Sequence, residues 1–66
     1  MDEMTTSRLK SWISGRGVRA GRVGGLIEDD WDALDRMLGR RSSSEERRFV
    51  KLVWDAEQRD YESQSQ

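Results

Sequence analysis

Sixty-six residues make one small domain at most, near the lower size at which a single apolar core holds a chain folded. With 33% hydrophobic and 38% charged residues, no cysteine and no histidine, the chain has no disulfide staple and no thiolate or imidazole for a zinc site. The net charge of −1 hides an asymmetry, because residues 1–25 sum to +3 (five basic, two acidic) and residues 26–66 to −4 (seven basic, eleven acidic).

The N-terminus, Met1-Asp2-Glu3-Met4, has two acids and no apolar h-region, so it does not read as a signal peptide. No apolar run approaches the roughly 20 residues needed to cross a bilayer. A cytoplasmic protein without a membrane partner is the expectation. The first helix is predicted over about Thr6–Ser14, with Thr5, Thr6 or Ser7 as N-cap, a Leu9, Trp12, Ile13 stripe, and Gly15 closing it.

Residues 15–25 hold five of the six glycines and the cluster Arg16, Arg19, Arg22 without an acid. Glycine costs a helix interior about 1 kcal/mol relative to alanine, so this segment is predicted as a flexible Gly/Arg-rich loop. Its arginines are the candidates for contacting an anion or an acidic partner, or else for pairing with acids of the second helix. No Gly-Lys-Ser/Thr follows the glycines, so the segment is not a P-loop.

The second helix is predicted over Glu28 to Leu38 or Arg40. Ile27, Trp31, Leu34 and Leu38 form its apolar stripe, and Glu28, Asp29, Asp32 and Asp35 the opposite face. Acids in its first turn and Arg36, Arg40 and Arg41 at its end suit the helix dipole. Asp30 stands apart from the other acids on the wheel, which argues against a magnesium cluster.

A capping box, Ser42 with Glu45 or Ser43 with Glu46, opens the third helix, which continues to about Tyr61 before a frayed tail over 62–66. The short connection at Gly39–Ser43 makes the last two helices antiparallel neighbours, or else a pair meeting at a steep angle. The fold expected is therefore mostly α: one small three-helix domain with a short N-terminal helix, a Gly/Arg-rich loop and an antiparallel helix pair.

The third helix carries two apolar faces, Phe49, Leu52, Val53, Ala56 and, rotated by roughly 120°, Val50, Trp54, Tyr61. A helix apolar around so wide an arc is contacted on two sides. Either Trp12 and Ile13 cover the second face within the chain, or Val50, Trp54 and Tyr61 bind another protein or a second copy, and these three are the predicted partner-binding residues.

Segment 39–45, Gly39-Arg40-Arg41-Ser42-Ser43-Ser44-Glu45, lies between Trp31, Leu34, Leu38 and Phe49, Val50, Val53. Over about 35 residues this resembles the helix pair of ribbon-helix-helix DNA-binding dimers. The resemblance implies a pairing strand over about Val18 to Leu26, with Arg19 or Arg22 toward DNA, although Gly21, Gly24 and Gly25 weaken a strand.

Without histidine or cysteine, and with little volume for a water-excluding pocket, the chain is expected not to be an enzyme and to need no cofactor and no metal. The expected role is a non-enzymatic protein-binding module, a small stoichiometric regulator or inhibitor of the kind common among phage and mobile-element proteins. A dimeric DNA-binding transcriptional regulator is the alternative.

Overall fold

The structure, a computed structural model, describes residues 1–64. Helix α1 spans Glu3–Ser14, a 3-10 turn Val18–Ala20, helix α2 Glu28–Leu38 and helix α3 Ser44–Gln64. This is the predicted small, mostly helical domain, and there is no strand among the described residues.

Helix α1 starts earlier than the threonines suggested. Asp2 is its cap: the Asp2 Oδ1 accepts the Thr5 N–H at 2.7 Å, and the Thr6 hydroxyl donates to the Asp2 carbonyl at 2.9 Å. A carboxylate serves the unpaired N–H groups of a first turn better than a neutral hydroxyl. Gly15 does end the helix, yet its φ of −83° is right-handed, so it supplies no left-handed cap. The glycine that matters for packing is Gly17. A Cβ there would lie 3.1 Å from the Ile13 carbonyl oxygen and 3.4 Å from the Trp54 ring.

Helix α2 has the predicted bounds. Its C-terminus is a Schellman turn: Gly39 takes φ +74°, its N–H reaches the Arg36 carbonyl at 3.2 Å, and the Arg40 N–H reaches the Asp35 carbonyl at 3.2 Å. Of the two capping boxes the sequence offers, Ser43 with Glu46 forms. The Glu46 N–H donates to Ser43 Oγ at 3.1 Å and the Ser43 N–H to Glu46 Oε1 at 2.7 Å. Helix α3 passes the expected end at Tyr61 and takes in Glu62, Ser63 and Gln64, since nothing in that stretch is a helix breaker. The rest of the expected frayed tail, residues 65 and 66, lies outside the described residues.

The helix directions follow from their contacts. Helix α1 runs alongside α3 in the same sense: the Met1 amino group is 3.3 Å from Glu45, and farther on the Trp12 and Trp54 rings are 6.4 Å apart. Helix α2 is antiparallel to both. Near its C-terminal end the Met37 carbonyl accepts from Arg8 at 2.9 Å and Asp35 meets Arg47, whereas near its start Trp31 lies beside Lys51 and Asp55. Leu9 and Ile13 of α1, Leu34 of α2, and Val50 and Trp54 of α3 form the buried core.

Candidate partner-binding surface

Trp54 is the centre of the molecule rather than part of its surface. It is 1% exposed, and its indole N–H donates to the Gly24 carbonyl at 2.9 Å. Gln58 Nε2 donates to the same carbonyl. Val50 is fully buried. Of the three residues expected to bind a partner, only Tyr61 reaches solvent, at 50% exposure. The correction has a simple cause. The first helix lays Ile13 and Trp12 along this face, and just past its end Gly17, with no side chain, lets the backbone come down onto the indole. The chain thus covers this face itself, the intramolecular one of the two arrangements its sequence allows.

The Gly/Arg segment is correspondingly tethered. Val18 is buried, and each of the three arginines is held by a carboxylate of the same chain. Arg19 Nε donates to Glu57 Oε1 at 2.7 Å, and the other Glu57 oxygen is buried without a hydrogen-bond partner. Arg16 Nε donates to Asp30 Oδ1 at 2.7 Å, and Arg22 reaches both oxygens of Asp30, Nη2 to Oδ2 at 2.6 Å. The Arg16 and Arg22 guanidinium groups also lie over the Trp12 and Trp54 rings, 5.7 and 5.2 Å from the centroids.

Asp30 therefore organises the loop. Its side chain is fully buried at the third position of α2, where it also accepts the Ile27 N–H at 2.8 Å, the carboxylate half of a capping box. Burial works against its charge. The hydrogen bonds from Arg22, Ile27 and Arg16, with the Arg22 charge, outweigh that and hold the carboxyl at about 2. The same bond to Asp30 raises the Arg22 guanidinium further. Sequence reasoning missed Asp30 as a hub, although the signal was present: it is the one acid of the helix's first turns that leaves the acidic face and shares the apolar side with Leu34.

A second charged knot closes the α2–α3 turn. Arg40 donates to both Glu46 oxygens, at 2.9 and 2.6 Å, and this pair together with the Ser43 N–H holds the Glu46 carboxyl at about 2. Asp35 accepts the Ser42 N–H at 2.8 Å, which lowers its pKa. Arg47 Nε donates to Ser42 Oγ at 2.7 Å while its guanidinium lies 5.1 Å from the Trp31 centroid.

The ribbon-helix-helix resemblance does not extend to this segment. Residues 18–26 form the 3-10 turn and a loop where a pairing strand was needed, and Arg19 and Arg22 are engaged within the chain. The acids once weighed as a metal cluster are also separated: Asp30 points into the core, and Asp35 serves the Ser42 turn.

What α3 leaves partly uncovered is its other apolar face, whose Phe49 and Val53 also pack against the core. Leu52 is 63% exposed, Ala56 is exposed, and Phe49 and Val53 are half-buried along its edge. These four lie within one arc of the helix wheel, at i, i+3, i+4 and i+7. The side chains bordering this strip are Glu45, Arg48, Asp55, Arg59 and Asp60. No helix among the described residues is long and apolar enough to cross a membrane. Comparison with protein-family models, with curated proteins and with solved structures gives no match for this chain.

Proposed function

We propose that the chain is a protein-binding module without catalytic activity, acting stoichiometrically as a small regulator or inhibitor, and that it binds through the Phe49, Leu52, Val53, Ala56 strip of α3. The observation that carries this reading is Leu52, 63% exposed at the middle of an apolar strip on a helix whose opposite side already supplies the core. Scattered apolar residues on a surface mean little, but four at helical spacing make the one-sided anchor pattern of helix-mediated recognition. The composition points the same way, because a domain of this size without staples gains burial from whatever covers it.

The test is affinity capture with the full chain as bait, beside the same chain carrying Leu52→Asp. A protein retained near equimolar ratio by the first and lost with the second supports the reading. Partners retained equally by both baits overturn it. A mobility-shift assay at low salt separates the nucleic-acid alternative, since arginine–phosphate binding is strongest there. No shift is expected.

A further inference from the structure

We propose that the occupant of the α3 strip is a second copy of the same helix, packed antiparallel about a two-fold axis at Leu52. This rests on the reading of the strip as a binding face and adds its partner and register. The argument is the order of side chains on either side of Leu52. In an antiparallel pair related by a two-fold, a residue before the axis meets the residue on the same flank of the other copy that stands about as far after it, to within one position, and the contact is made twice.

Phe49 stands three residues before Leu52 and Ala56 four after, so a large side chain faces a small one. Arg48 stands four before and Asp55 three after, so base faces acid. Glu45 stands seven before and Arg59 seven after, and again opposite charges meet. Leu52 meets itself on the axis. A parallel copy would instead set Phe49 on Phe49 and each charge on its like, which is destabilising.

The charged groups are available for this. Arg48, Asp55 and Arg59 take part in none of the ion pairs found among the described residues. Glu45 touches only the amino terminus, at 3.3 Å, with 71% of its side chain exposed. Four apolar side chains are a small contact, below the ~1,000 Å² that marks a stable interface, so the dimer is reversible and concentration-dependent.

Sedimentation equilibrium of the full chain from about 10 µM to 1 mM, the range of weak small interfaces, tests the proposal. The expected result is an average mass rising from one chain toward two. Leu52→Asp is expected to weaken association at least tenfold without loss of helix by circular dichroism. Arg48→Asp should weaken it several-fold, and adding Asp55→Arg to that variant should restore it, because the swapped charges again face each other.

A chain that stays monomeric throughout overturns the proposal. So does a dimer indifferent to Leu52→Asp, or one in which the charge swap behaves like Arg48→Asp alone. The broader reading fails separately. A monomer whose Leu52-dependent capture of a different protein persists removes self-pairing and keeps the binding face. A monomer with no Leu52-dependent partner removes both.

Discussion

The guanidinium of Arg22 is held between Asp30 and Trp54: it reaches both oxygens of the buried carboxylate while its Cζ lies over the indole, 5.2 Å from the centroid. One side chain thus joins the Gly/Arg segment to α2 and to the core of α3. Only a planar fork can pair in two places and stack at once, so lysine is no conservative replacement. Arg22→Lys is expected to lower stability by about 1–2 kcal/mol, the scale of a charge-assisted hydrogen bond, read as a shift of the urea midpoint.

Removing the acid should cost more. Asp30→Ala leaves Arg16 and Arg22 facing a hole, but both guanidiniums are about a third exposed and can turn to water. The loss is therefore put at about 2–3 kcal/mol, below the 3–5 of a fully buried broken pair. Hydrogen exchange should show residues 16–25 losing protection before α1 and α3 do.

The pH dependence follows from the same carboxylates. Asp30 and Glu46 are both held at about 2, below their ordinary 3.8 and 4.5. A lowered folded pKa means that the unfolded chain binds the proton more readily. The stability these pairs supply is complete above about pH 4.5 and drains away as pH falls toward 2. Asp30 alone accounts for on the order of 2 kcal/mol of this. Acid titration followed by tryptophan fluorescence should give unfolding in that window, and Asp30→Asn should flatten the part below 3.8 while the fall that begins at 4.5, which belongs to Glu46, remains.

Gly17→Ala tests the close approach of the segment after α1 to the core. The new methyl would press on the Ile13 carbonyl oxygen and the Trp54 ring, at 3.1 and 3.4 Å, so the backbone has to retreat from the indole. Overpacking of this kind costs about 1–3 kcal/mol. Thermal melts should show the loss, and Gly15→Ala, whose nearest contact is 3.6 Å, should show little of it.

The two faces of α3 should respond oppositely. Val50→Asp puts a charge where no surface is exposed and should abolish folding, whereas Leu52→Asp, on the open side, should leave the melting temperature within a few degrees. Trp54→Ala should also unfold the chain, at about 3–5 kcal/mol for an emptied aromatic site in a domain of marginal size.

Much of this was legible in the sequence. The bounds of α2, the Ser43–Glu46 capping box and the antiparallel α2–α3 pair all follow from local chemistry, namely periodicity, a cap spacing and a short glycine turn. The start of α1 did not, because three consecutive hydroxyl residues compete on paper with an aspartate, and only the formed bond to Thr5 decides between them. The wheel showed that α3 has two apolar faces but carries no sign of which one α1 crosses. That choice is made by Gly17 fitting under Trp54 and by Gly24 presenting its carbonyl to the indole, both non-local facts. Nor does any local spacing announce that Arg16, Arg22 and Arg47 each lie over a tryptophan.

The buried core draws on α3 for Val50 and Trp54, while Leu9, Ile13 and Leu34 from the earlier helices bury against them. The same helix fastens the Gly24 carbonyl through Gln58, so the loop between α1 and α2 also depends on it. Helices α1 and α2 on their own thus have nothing to bury these side chains against, and a fragment ending before Val50 is expected to be unfolded and open to proteases.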